Sequence, residues 1–139
     1  MNNWLMWSLM SAGFAGATAI LAKVGVKDVD SNLATAIRTV VIVVFAWSVA
    51  MYTNTQSLAT ISRKTWIFLA LSGLATGLSW LCYFRALQLG EASKVAPVDK
   101  LSVVFVLVLA AVFLHEKTTW HQWVGGGLIT AGAVVLAWA

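Results

Sequence analysis

The amino-acid sequence predicts an all-α integral membrane protein with five transmembrane helices, and three observations lead there. Charged residues make up only 10% of the chain and hydrophobic ones 60%, against about 25% charged in soluble domains; mean hydropathy is +0.86. The apolar residues gather into five windows, each close to the roughly 20 residues that cross a bilayer as a helix. Charges and turn-forming residues fall mostly between those windows or near their ends, as expected where lipid offers no water to satisfy exposed backbone.

The first window covers residues 4–26. Met1-Asn2-Asn3-Trp4 lacks a positive n-region, and the following run is too long for a signal peptide, so a retained span is expected. Asp28-Val29-Asp30-Ser31-Asn32 makes a polar turn in which Ser31 or Asn32 is expected to cap the second window, 33–52. Thr53-Asn54-Thr55-Gln56-Ser57 opens a longer loop that ends at Arg63-Lys64, before the third window, 66–89. Gly90 is expected to close that helix in a left-handed conformation, and Ser93 to cap the fourth window, 95–114. Pro97 would then lie in the first turn, where a missing N–H costs little. His115-Glu116-Lys117 forms the last turn before the fifth window, 119–138. Residues 1–139 read as one transmembrane domain without linker, low-complexity tract or tandem repeat. Seven of the tryptophans (Trp4, Trp7, Trp47, Trp66, Trp120, Trp123 and Trp138) lie near window ends, as headgroup-level anchors do; Trp80 is deeper. Cys82 stands alone, which excludes a disulfide within the chain.

Five spans place the loops after the first and third helices on one side of the membrane. Lys23, Arg38, Arg85, Asp99 and Lys100 all fall toward that side. A charge inside a span costs about 2.5–3.5 kcal/mol, so it faces the bundle interior or snorkels to the interface. Four cations against one acid point to a site for an anionic group, with Asp99 orienting it or coupling to protons. The alternative for Lys23, Arg85 and Lys100 is contact with lipid phosphates. Asp99 and Ser102 share a face; Lys100 is about 100° away and is expected to address another neighbour. Tyr83 and Ser102 could add hydrogen bonds.

Ser72, Thr76, Ser79 and Tyr83 form one polar stripe, and Ser8, Ser11 and Thr18 another; these could line a route to the charged end or act as packing contacts. Gly73 and Gly77 make a GxxxG step, and Gly125, Gly126 and Gly127 give the last helix a small face for packing or dimerisation. Loop cations number Lys27 and Lys94 on one side and Arg63, Lys64 and Lys117 on the other, so the positive-inside bias is weak.

Leu71-Ser72-Gly73 through Gly77-Leu78-Ser79-Trp80, then Tyr83-Phe84-Arg85-Ala86-Leu87, Gly90 and Ser93 to Ser102, resemble an EamA domain. Phe113-Leu114-His115-Glu116, the glycine-rich last helix, Ala22-Lys23-Val24-Gly25 and Ala36-Ile37-Arg38-Thr39 fit the same pattern. The chain is similar to the five-helix bacterial/archaeal transporter family of the drug/metabolite transporter superfamily. The resemblance implies half of an inverted-repeat transporter that works as an antiparallel, dual-topology homodimer by alternating access in the inner membrane. The related small multidrug resistance proteins keep a glutamate in helix one, whereas the first window here has no acid.

The leading expectation is therefore a secondary transporter, an exporter of a small polar or anionic metabolite such as an amino acid or organic acid. A non-transporting scaffold, an accessory half of a heterodimer and a small cation exporter are the alternatives. No metal-ligand cluster, cofactor motif, nucleic-acid footprint or nucleophile with a nearby base is present in the sequence, so an enzyme is not expected.

Overall fold

A computed structural model describes residues 3–53 and 57–138, all of them helix or connecting turn, with no strand among them. The elements are α1 (Asn3–Gly25), α2 (Ser31–Thr53), a 3-10 turn (Leu58–Thr60), α3 (Arg63–Leu89), α4 (Ala92–Asp99), α5 (Ser102–Phe113) and α6 (Trp120–Trp138). α1, α2, α3 and the stretch Ala92–Phe113 are each long and apolar enough to cross a membrane. α6 has 19 residues, opens with His121 and Gln122 and carries three consecutive glycines; it is not among those four. Of the loop expected after α2, Asn54-Thr55-Gln56 lies outside the described residues.

The chain divides into two compact units, Ala22–Gln88 and Met1–Leu21 with Leu89–Ala139. In the first, the α1–α2 turn is built differently from the sequence expectation. α2 begins at Ser31, so the capping position is Asp30, whose Oδ1 accepts from the backbone N–H of Asn32 (2.9 Å) and Leu33 (3.1 Å). A carboxylate suits this place because it satisfies two orphan donors and faces the positive end of the helix dipole. Ser31 is instead buried within the first turn, where its carbonyl accepts from the Thr35 hydroxyl. Ala22, Val26, Phe84 and Leu87 form the buried apolar core of this unit.

In the second unit, three further expectations give way. Gly90 does not take a left-handed φ; the connector to α4 is two residues long, and Glu91 turns the chain with extended backbone (φ −71°, ψ 140°). Glu91 is thus the N-cap, without a side-chain cap bond, and Ser93 already lies inside α4. Pro97 consequently sits within α4 and not at its start. Its nitrogen has no hydrogen to give the Ser93 carbonyl, and the next residues tighten. Lys100 N–H bonds Pro97 O (3.1 Å), Leu101 N–H bonds Val98 O (3.0 Å) and Val103 N–H bonds Lys100 O (3.0 Å). These three-residue steps are narrower than α-helical ones and interrupt the fourth span at Asp99-Lys100-Leu101. His115 carries the left-handed φ (53°) that ends α5, a conformation His tolerates better than most residues. α6 packs on α4 and α5. Gly126 is the close approach: a Cβ there would lie 2.9 Å from Leu107 Cδ1.

Candidate functional site

Within the unit 22–88, α2 and α3 bring together a cation and an aromatic platform. Arg38 is half-buried. Its guanidinium carbon stands 4.4 Å from the centroid of the Trp80 ring and 5.3 Å from that of Phe84. Both distances fall inside the roughly 6 Å reach of a cation–π contact. Trp80 and Phe84 are four residues apart, so α3 presents them on one face. The Tyr83 side chain is within electrostatic reach of the guanidinium and meets the Phe84 ring edge-on at 6.5 Å. Among the described residues Arg38 makes no ion pair.

A second cluster clasps the ends of α1 and α3. Lys23 Nζ donates to the Leu87 carbonyl at 2.6 Å, one of the last carbonyls of α3 that its own helix leaves unpaired. Gln88 Nε2 donates to the carbonyls of Val29 (2.7 Å) and Val26 (3.2 Å), while its Oε1 accepts from Arg85 Nη1 at 3.0 Å. Lys23, expected near a ligand, thus ties α1 to α3, and Arg85, also expected there, bonds Gln88, the residue that holds the α1–α2 turn.

In the other unit, Lys100 does not address a separate neighbour as expected. Its Nζ lies 3.3 Å from Asp99 Oδ2, because the tight turn at 99–101 lets adjacent side chains meet. The pair is open, with 57% and 38% of the two side chains exposed. Such a pair contributes little on its own. Ser102 begins α5 and is exposed.

Of the polar stripes, Ser8, Ser11, Ser72, Thr76 and Ser79 are exposed and Thr18 is half-buried. The Ser8 hydroxyl bonds the Trp4 carbonyl and the Thr76 hydroxyl the Ser72 carbonyl, each at home on its own helix. A Cβ at Gly73, Gly77, Gly125 or Gly127 would meet nothing within 4 Å, so in one chain Gly126 alone of the five glycines marks a tight helix crossing. No group of three or more His, Cys, Asp or Glu suited to a metal is found among the described residues.

Sequence reasoning missed Trp80, Phe84 and Gln88. The signal for the first was present: Trp80 is the tryptophan away from the window ends, and Phe84 follows it by one helical turn.

Residues 2–138 match the EamA-like transporter family. The chain belongs to that family. Among its relatives is an uncharacterized transporter in the cobO 3′ region of a Sinorhizobium species, 54% identical over 98% of this chain and 97% of that one. It is also similar to the probable 4-amino-4-deoxy-L-arabinose-phosphoundecaprenol flippase subunit ArnE of Aeromonas hydrophila. That protein is 33% identical over 53% of this chain and 63% of its own length. The same subunit of Aeromonas salmonicida is 32% identical over 51% of this chain and 60% of its own. No solved structure matches. As an EamA-like transporter with four helices apolar enough to span a bilayer, the protein is a multi-pass inner-membrane protein.

Proposed function

We propose that this EamA-like protein is a secondary transporter, an exporter of a small solute bearing an anionic group such as an amino acid or organic acid. It has no enzymatic role in this reading. Arg38 carries it: a guanidinium about a third of the way along α2, seated on aromatic rings, without a carboxylate partner among the described residues. A cation kept within a span at a cost of about 2.5–3.5 kcal/mol needs a functional reason, and a passing anion supplies one. Residues 1–139 act as one transmembrane domain of five spans, with α6 as the fifth. Two copies pair in opposite orientations and expose the site to either side in turn. The weak charge bias between the two sides and the open faces at Gly73, Gly77, Gly125 and Gly127 support such a pair. Asp99, Lys100 and Ser102 border the break in the fourth span, where freed backbone suits a solute path.

Purified protein in liposomes loaded with amino acids or organic acids should exchange a labelled counterpart from outside. Arg38→Ala should lower that flux about 10–100-fold, the loss of one charge-assisted hydrogen-bonding partner. Flux unchanged in Arg38→Ala ends this reading. A second reading, that the chain is one half of a heteromer, is favoured by the word subunit in the names of the ArnE relatives. Exchange by the protein purified alone excludes it.

A further inference from the structure

We infer that Arg38, Trp80 and Phe84 form a preset receptor for the paired oxygens of one oxyanion, a carboxylate or a phosphodiester, bound in two-point fashion along the free edge of the guanidinium. This deepens the proposed function and rests on it for the claim that the ligand travels.

The depth of the guanidinium comes first. α2 has 23 residues and is about 34 Å long at 1.5 Å per residue, against a hydrocarbon core of about 30 Å. Arg38 is seven residues past Ser31, so its Cα lies about 10.5 Å along the helix. The rings it rests on belong to α3, where Phe84 is five residues and Trp80 nine residues from the end at Leu89, about 7.5 and 13.5 Å in. An arginine that snorkels would send its head toward the helix start and the interface. Arg38 instead turns its head sideways onto rings at its own level. The aromatic contacts hold it at that level of the span.

The remaining valence follows from shape. A guanidinium has two faces and an edge carrying five N–H donors in a rigid fork. The rings lie against the guanidinium at 4.4 and 5.3 Å from its carbon and, having no conventional acceptor atom, leave its N–H donors to another partner. Among the described residues no hydrogen bond uses that edge. A fork held in place matches the two oxygens of a carboxylate or phosphodiester, and it does not match a spherical halide. Trp80 and Phe84 are thus positioning residues in this proposal: their contacts hold the guanidinium in place. Lysine in place of Arg38 would keep the charge and lose the fork.

The test uses protein labelled with 5-fluorotryptophan in dodecyl maltoside micelles, which hold no phosphate. Trp80→Phe identifies the Trp80 fluorine resonance. Titration with sodium acetate or sodium dimethyl phosphate should move that resonance saturably, and sodium chloride at matched ionic strength should not. Arg38→Lys should weaken the response by roughly tenfold or more. By calorimetry, Trp80→Leu should weaken acetate binding and Trp80→Phe should restore part of it. A Trp80 resonance blind to both oxyanions, or equally responsive to chloride or in Arg38→Lys, overturns the receptor. In phosphatidylglycerol nanodiscs, a resonance already at the saturated position identifies a lipid headgroup as the ligand; one at the micelle position identifies a free solute. Oxyanion binding without flux in liposomes overturns transport and leaves the receptor standing. Flux that depends on Arg38 with a silent Trp80 overturns the receptor and leaves transport standing.

Discussion

Gln88 offers the sharpest separation of charge from hydrogen-bond direction. Its amide donates to Val29 O at 2.7 Å and Val26 O at 3.2 Å and accepts from Arg85 at 3.0 Å. Gln88→Ala removes two donors to partly buried carbonyls. At about 0.5–1.5 kcal/mol per bond in water, and an average near 0.6 between membrane helices, the loss should be about 1–2 kcal/mol. The Arg85 bond adds little because Arg85 is exposed. Gln88→Glu is the decisive variant. It strengthens the pairing with Arg85 but turns a carboxylate toward two carbonyl oxygens, where the amide had offered hydrogens. If the clasp works by donation, Gln88→Glu is less stable than Gln88→Ala although it gains an ion pair. Unfolding in mixed detergent and dodecyl sulfate micelles, followed by circular dichroism, gives the order. A Gln88→Glu protein as stable as wild type would show that the two carbonyls do not depend on this side chain.

Other substitutions probe the remaining contacts. Lys23→Met keeps the length of the side chain but deletes the donor to Leu87 O, and should cost about 1 kcal/mol in the same unfolding assay, with Lys23→Arg close to wild type. Gly126→Leu should destabilise by about 2 kcal/mol or more, because even a Cβ there lies 2.9 Å from Leu107 Cδ1. Gly125→Ala and Gly127→Ala meet open space within one chain, so each should raise helix stability by up to about 1 kcal/mol. If either also shifts the elution of the detergent-solubilised protein toward a monomer, that face is covered by a second copy. Pro97→Ala restores a donor for the Ser93 carbonyl and should stabilise the fourth span while slowing solute exchange; faster exchange would separate the helix break from transport.

The spans were legible because insertion into lipid tolerates so few charges that the apolar windows stand out. Local decisions were less so. Whether Asp30, Ser31 or Asn32 caps α2 depends on where the helix begins, and the three neighbours are all good caps. Pro97 was misplaced for a related reason: the extended backbone at Glu91 starts α4 at Ala92, three residues before the expected window. The Arg38 seat was half legible. The four-residue spacing of Trp80 and Phe84 was there to be read, but which face of α3 meets α2 is settled by pairing across some forty residues of sequence, and composition carries no record of that.

The charges themselves show how a sum can mislead. Pooled from sequence, Lys23, Arg38, Arg85, Asp99 and Lys100 amount to a surplus of three positive charges. In the folded chain Lys23 holds the Leu87 carbonyl, Arg85 holds Gln88, and Lys100 sits beside Asp99. Of these four cations Arg38 is the one whose donors make no hydrogen bond or ion pair among the described residues, so the proposed receptor offers a ligand one guanidinium and one unit of charge. A monoanion would be neutralised by it. A dianion would carry a second, uncompensated charge into the span at about 2.5–3.5 kcal/mol, which is about a hundredfold in affinity. Acetate or propionate should therefore compete for the site about a hundredfold better than succinate above pH 7, where succinate is doubly charged. Equal competition by the two classes would mean that a second cation faces the ligand.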